Sequence, residues 1–134
     1  MPAVPSQLGS PQGELSVRVL AMPADTNPAG NIFGGWVLGQ MDIAGATHAI
    51  SHIGFQVATV AVDAMKFYKP INVGDEVSCY TRISRIGRTS ITVIVEIWVR
   101  RRRQGNPMNV TTGAFTYVAM DDDRKPVEIK NKTF

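Results

Sequence analysis

A single long helical pattern near the start of the chain most constrains the fold. Apolar residues recur at helical spacing across residues 34–53, at Val37, Met41, Ala44 and Ile50. A helix of that length spans about 30 Å. Its glycines lower the helix propensity, and its alanines have small side chains. Both residue types let a neighbouring backbone approach the helix closely. The pattern predicts one central helix with a sheet wrapped tightly around it.

Strand patterns fill most of the remaining sequence. Apolar and polar residues alternate over residues 15–21, 57–67, 77–84, 91–99 and 108–120. One strand, a long helix and four strands in a meander predict an α+β fold in which one antiparallel sheet covers one helix. A single open sheet leaves edge strands unpaired, so we expect two chains to associate edge to edge.

The length of 134 residues predicts one domain. We expect residues 1–13 to form a flexible N-terminal arm, residues 14–125 the domain and residues 126–134 a C-terminal tail. The arm lacks the basic start and apolar run of a secretory leader, and no window is apolar enough to span a bilayer. We therefore expect a cytoplasmic protein with no membrane partner.

The net charge of +3 does not identify a partner by itself. The densest basic run, residues 100–103, lies between two strand patterns, where a solvated strand end is the simplest interpretation and a phosphate-facing patch is an alternative. No aromatic residues alternate with it, so we do not predict a nucleic-acid partner. Cys79 lies in an alternating strand pattern, which favours a small core residue over a nucleophile.

Asp42 is the residue that first suggests chemistry. It is the one carboxylate in the helical pattern, which follows a turn rich in Asn, Pro and Gly and begins with Gly34 and Gly35. The first N–H groups of a helix have no partner within it, and here no side chain would screen them. Such a helix start suits a developing oxyanion, and Asp42 suits a base. Alternatively, Asp42 forms an ion pair across a protein interface.

Two histidines, His48 and His52, are spaced four residues apart on the predicted helix and are a conceivable metal pair. Asp42 lies about 120° around the helix from His48, and no third ligand is evident nearby. We therefore predict no metal site. Both histidines lie near the helix C-terminus, where a positive charge is favourable.

Five segments together resemble the hotdog-fold acyl-CoA thioesterases, and within them a small bacterial YciA-like group. They are Leu20 to Asn27 (LAMPADTN), Gly30 to Trp36 (GNIFGGW), Gln40 to Asp42 (QMD), Phe67 to Pro70 (FYKP) with Val73 to Asp75 (VGD), and Val95 to Val99 (VEIWV). The resemblance covers about residues 14–125. It implies the hotdog fold, in which a five-stranded antiparallel sheet wraps one central helix, and it implies dimers that often form hexamers.

The resemblance also implies acyl-CoA hydrolysis without a metal or redox cofactor. Asp42 would be general base or nucleophile, and the backbone N–H near Gly34 of the other protomer would polarise the thioester carbonyl. Asn31 stands where many YciA-like sequences have Asp, and related thioesterases use Asn there as a second catalytic residue. A hotdog domain that binds acyl-CoA as a sensor or carrier, without turnover, is the alternative; a pure binder would not need Asp42.

Coenzyme A carries phosphates, which require cations and hydroxyl donors. We predict that five residues bind it. They are Lys69, Arg88, Thr89, Ser90 and Thr59.

Overall fold

The central helix has the bounds that the sequence predicts. In the computed structural model, which describes residues 9–101 and 104–134, helix α1 is Gly34–Ile53. Gly54 ends it in the left-handed conformation (φ 77°), and its N–H donates to the Ile50 carbonyl at 2.8 Å. Glycine adopts this conformation without a steric penalty, which explains where the helix stops.

Five antiparallel strands form one sheet around α1. They are β1 (Glu14–Leu20), β2 (Gln56–Phe67), β3 (Asp75–Ile86), β4 (Ser90–Arg101) and β5 (Gln104–Met120), in the order β1-β3-β4-β5-β2. The predicted α+β class and hotdog architecture are confirmed. Of the basic run at 100–103, residues 102 and 103 lie outside the described residues.

The predicted four-strand meander is wrong in one strand. β2 pairs with β5 and not with β3, so only β3, β4 and β5 form a meander. Residues 68–74 carry the chain across the end of the sheet, with hydrogen bonds from Tyr68 to Val110 and from Gly74 to Ala21. Alternation along a strand reports which face is buried but not which strand lies beside it.

The core lies between α1 and the concave face of the sheet. Val37, Met41, Ala44 and Ala49 of the helix are buried against inward residues of the strands, including Val77, Cys79, Val93, Val95, Ile97, Phe115 and Tyr117. A short 3-10 helix, Pro23–Asp25, begins the loop that leads from β1 to α1.

Both chain ends outside the predicted domain contact it. The backbone N–H of Gln12 donates to Glu96 on β4, whereas residues 1–8 of the expected flexible arm lie outside the described residues. In the segment expected to be a tail, Val127 donates to the Ala119 carbonyl, and Ile129 belongs to the core. Among the helices of residues 9–101 and 104–134, none is long and apolar enough to cross a membrane.

Candidate active site

The loop before α1 is ordered by one amide side chain. Asn27 Oδ1 accepts hydrogen bonds from the N–H groups of Ala29 (2.9 Å) and Asn31 (3.1 Å), and the Asn27 N–H donates to the Asn31 carbonyl. Asparagine commonly folds its side chain back onto its own turn in this way. Asn31 is exposed, so Asn27 fixes its backbone while its side chain faces solvent.

The start of α1 presents open backbone donors. Phe33 precedes the helix, and its carbonyl accepts hydrogen bonds from Trp36 and Val37. The N–H groups of Gly34 and Gly35 donate to no residue in the described part of the chain. Both glycines are exposed, so these N–H groups are available to an anionic ligand.

Asp42 lies two turns further along α1, and Thr59 of β2 fixes its carboxylate. The Thr59 hydroxyl donates to Asp42 Oδ1 at 2.7 Å. Asp42 is partly exposed and Thr59 is exposed. Thr59, predicted as a coenzyme A contact, therefore bonds to the predicted catalytic carboxylate. A short bond from a hydroxyl to a carboxylate orients the carboxylate and leaves its second oxygen, Oδ2, for another partner.

Tyr117 of β5 holds the main chain of the same residue. Its hydroxyl donates to the Asp42 carbonyl oxygen at 3.0 Å. Burial raises the pKa of Tyr117 well above its ordinary value, and the negative charge of Asp42 raises that pKa further. Tyr117 therefore stays protonated, as a hydrogen-bond donor, across the physiological pH range.

A cavity of about 240 Å³ opens at Asp42. Glycines and apolar side chains form most of its wall, with Asp42 and Thr59 as its polar residues. Its lining residues are Gly35, Leu38, Gly39, Asp42, Thr59, Val62 and Phe115. The carboxylate thus faces a small, mostly apolar space into which an acyl group could fit.

A second cavity, of about 220 Å³, lies on another side of the same helix start. Gly34 and Lys69 both line it, together with Val37, Phe67 and Ile71. Lys69 is exposed, and its ammonium lies 3.9 Å from Met108 Sδ. Within one chain, Gly34 and Asp42 therefore line different cavities.

Arg88, Thr89 and Ser90 form the β3–β4 hairpin at the opposite end of the sheet from Lys69. Ser90 pairs with Val118 of β5, whereas Phe67, near Lys69, pairs with Thr111. Positions 111 and 118 are seven residues apart, or about 23 Å along a strand. The predicted coenzyme A residues therefore do not form one cluster within one chain. Thr59 lies nearer the hairpin, since it pairs with Tyr117.

Two arginines of the basic run form ion pairs with acidic residues on the neighbouring strand. Arg101 Nε donates to the buried Asp75 at 3.2 Å, and Arg101 Nη2 donates to the Pro70 carbonyl at 2.7 Å. Arg100 Nη2 donates to Glu76 at 3.2 Å. These contacts hold the loop at residues 70–75 against the end of β4.

His48 makes a side-chain contact within the protein, whereas the buried Nε2 of His52 has no hydrogen-bond partner among the described residues. His48 Nδ1 is 2.7 Å from the Thr81 hydroxyl, and no group of three or more potential metal ligands occurs among the residues described. Cys79 is buried in the core, and burial raises the pKa of its thiol to about 12. The thiol is therefore protonated at neutral pH and is a poor nucleophile.

Sequence reasoning assigned no role to Asn27 or Tyr117, and it predicted close approach at the helix glycines without naming the contact of Gly45 with Tyr117. Asn27 is in a recognisable turn, and its spacing before Gly30 is a usable signal. Tyr117 and Gly45 are 72 positions apart in the chain and give no local signal. Their contact depends on how α1 lies on the sheet.

Known proteins are similar to this chain along most of its length. A sequence profile of the Thioesterase superfamily matches residues 29–105. The acyl-CoA thioester hydrolase YciA of Salmonella typhimurium is 48% identical over 120 residues, which cover 87% of this chain and 90% of the relative.

Two solved structures are similar in fold as well as in sequence. The hexameric thioesterase y2039 from Yersinia pestis has a TM-score of 0.86 at 49% identity, covering 91% of this chain and 99% of that one. HI0827, a hexameric broad-specificity acyl-coenzyme A thioesterase, has a TM-score of 0.85 at 44% identity, covering 91% and 84%. This chain belongs to the hotdog-fold acyl-CoA thioesterases, in the YciA-like group.

Proposed function

We propose that this protein hydrolyses acyl-CoA thioesters to a free carboxylic acid and coenzyme A, with Asp42 as its catalytic carboxylate. The observation that carries the proposal is the hydrogen bond from Thr59 to Asp42 Oδ1 at the wall of a mostly apolar cavity. One carboxylate oxygen is held and the carboxylate faces the cavity. The Salmonella relative is likewise an acyl-CoA thioester hydrolase.

Two routes fit a single carboxylate. As general base, Asp42 takes a proton from water, the water oxygen bonds to the thioester carbon, and the C–S bond then breaks as the proton passes to the thiolate. As nucleophile, Asp42 itself bonds to that carbon, expels the thiolate and forms an anhydride, which water then cleaves. Both routes pass through an oxyanion on the former carbonyl oxygen.

The open N–H of Gly34 is our proposed donor to that oxyanion. Since Gly34 and Asp42 line different cavities of one chain, we place Gly34 of a second copy near Asp42 of the first. Asn31 is exposed in the loop before Gly34, and its side-chain amide is our proposed orienting group for the attacking water.

A second copy is also favoured by the surface beside Asp42. Val60 is 57% exposed and Val62 38% exposed on β2, an edge strand of the sheet, and Leu38 and Ile43 are exposed on the adjacent helix. An exposed apolar edge of this kind is typical of an interface between protein chains. We propose a dimer through this edge and, because similar solved thioesterases are hexameric, a trimer of dimers.

We propose that coenzyme A lies across this assembly. At the hairpin, the exposed Arg88 supplies a guanidinium, and the partly exposed Thr89 and Ser90 supply two hydroxyls for phosphate oxygens. The exposed Lys69 supplies an ammonium. The distance between hairpin and Lys69 within one chain means that one phosphate group cannot contact both of them in that chain. The reaction that we propose needs no metal or redox cofactor.

The deciding experiment is thiol release from acyl-CoAs of increasing chain length by wild type, Asp42→Ala and a matched control, Asp122→Ala. Asp122 is an exposed carboxylate in the turn after β5, so its loss changes the net charge equally. We expect Asp42→Ala to lower kcat by a factor of about 10² to 10⁴ and to keep coenzyme A affinity, and Asp122→Ala to match wild type. Wild-type turnover that survives in Asp42→Ala would remove Asp42 from the mechanism. Binding without turnover in wild type would indicate a sensor or carrier.

A further inference from the structure

Tyr117 reaches the catalytic turn of α1 through a gap in the helix surface. Its side chain is fully buried, and its hydroxyl donates to the main-chain carbonyl of Asp42 at 3.0 Å. Burial and the nearby Asp42 carboxylate raise the pKa of Tyr117, and the backbone of Ala46, one helical turn later, partly opposes that rise. The hydroxyl therefore lies beside the helix backbone between Asp42 and Ala46.

Gly45 creates this gap. A Cβ atom added at Gly45 would collide with the Tyr117 hydroxyl oxygen and would lie 3.1 Å from Cζ of the ring. Any larger residue at position 45 must therefore displace either the helix or the tyrosine. Glycine in the middle of a helix costs about 1 kcal/mol relative to alanine, so the close approach is made against the local helix propensity.

Two neighbouring strands, β2 and β5, each form a hydrogen bond with Asp42. Thr59 and Tyr117 are cross-strand partners in the β2–β5 ladder. Thr59 holds the Asp42 carboxylate and Tyr117 holds the Asp42 carbonyl. Phe115 stacks on Tyr117 with ring centroids 6.4 Å apart, and it also lines the Asp42 cavity.

We propose that Tyr117 is a positioning residue for the reaction, which acts by fixing the Asp42 backbone against the sheet at the depth that Gly45 permits. The proposal rests on the proposed catalytic role of Asp42. A carboxylate held through the side chain of an exposed threonine can still move when its helix turn moves. A second bond to the main chain of the same residue, from a fully buried ring, restricts that movement. Reaction rates are sensitive to displacements of this kind.

Tyr117→Phe removes the hydroxyl and keeps the ring. We expect kcat to fall about tenfold, the value of roughly one hydrogen bond, while KM changes less than about twofold. Tyr80→Phe is the matched control: Tyr80 is half-buried on β3, and its ring faces away from the helix side of the sheet, on the same side as Glu96, its partner in β4. This control should keep wild-type kcat.

A variant of the helix tests the same contact from its other side. Gly45→Ala keeps the tyrosine hydroxyl but displaces it, so kcat should fall by a similar factor of about ten even though alanine favours the helix. In the double variant Gly45→Ala/Tyr117→Phe the colliding oxygen is absent. Its kcat should therefore be no lower than that of either single variant. If the two residues acted independently, the two losses would multiply and kcat would be lower.

The outcomes separate this inference from the proposed function. If Asp42→Ala is inactive but Tyr117→Phe keeps wild-type kcat, Tyr117 does not position Asp42 and the inference is wrong. If the losses in the double variant multiply, the two residues act independently and the inference is also wrong. Activity that survives in Asp42→Ala would instead refute the proposed function. To separate kcat from folding, all rates are referred to the folded fraction measured by circular dichroism, with Val99→Ala, a core truncation, as the destabilised control.

Discussion

Ile129 tests whether the last residues of the chain belong to the folded domain. The sequence predicts a tail at residues 126–134, yet Ile129 is only 1% exposed and its N–H donates to the Arg88 carbonyl at 2.8 Å. Val127 continues the same attachment by donating to Ala119 at 3.0 Å. A side chain this buried should contribute to stability as any core isoleucine does.

Ile129→Ala removes three side-chain carbons from that environment. At about 0.8 kcal/mol for each buried carbon, the lost transfer free energy is about 2.4 kcal/mol, and the cavity left behind adds to it. A chain end can collapse into part of the space, so we expect the free energy of unfolding to fall by about 3 kcal/mol. The backbone hydrogen bonds of the segment are retained in the variant.

Urea denaturation followed by circular dichroism measures this loss, at one fixed protomer concentration because association also stabilises the folded state. Val127→Ala is the control: Val127 is partly exposed and loses two carbons, so it should cost about 1 kcal/mol. A loss below about 1 kcal/mol for Ile129→Ala would show that the segment is dispensable to the domain. Our burial argument would then be wrong.

Two further predictions concern binding and pH. Arg88 is exposed, and its backbone carbonyl, which accepts from Ile129, is kept in Arg88→Ala, so the variant should leave stability within about 0.5 kcal/mol. Its KM for acyl-CoA should rise about tenfold with little change in kcat, and a loss confined to kcat would contradict a phosphate-binding role. Burial raises the pKa of Cys79 from 9.0 to about 12, so the folded state disfavours the thiolate and stability falls as the pH rises from 9.0 through about 12. Urea denaturation at about pH 8 and about pH 11 measures the stability of wild type and of Cys79→Ala. The difference between the two proteins should be smaller at the higher pH, and a constant difference would refute the linkage.

Local periodicity was sufficient to predict the elements. The apolar spacing in residues 34–53 gives the helix with its observed bounds, and alternation in residues 57–67 gives β2 to within one residue. Both signals are local, because helix and strand periods arise within a few residues of chain. The role of Asp42 was predicted from its place inside an apolar helix and from the motifs around it, and it stays a prediction.

Long-range packing could not be predicted in the same way. The pairing of β2 with β5 depends on the loop at residues 68–74 crossing the sheet end, and nothing in the alternation of either strand specifies it. The burial of Ile129 depends on the hairpin carbonyl of Arg88 being within reach. The bond between Thr59 and Asp42 depends on the curvature that brings β2 over the helix.

The glycines of α1 connect the fold to the chemistry. Among the glycines of α1, only Gly45, which lies against Tyr117, lacks room for a Cβ atom. A Cβ atom added at Gly35 or Gly39 would have no described atom within 4 Å, and one added at Gly34 would have only a ring carbon of Phe67, at 4.0 Å. Packing within one chain therefore does not require glycine at these three positions, although Gly39, inside the helix, costs about 1 kcal/mol relative to alanine. All three line cavities: Gly34 the one beside Lys69, and Gly35 and Gly39 the one at Asp42. Under the proposed function, the groups that would occupy this open space are substrate and a second copy, because both must approach the helix backbone to reach Asp42.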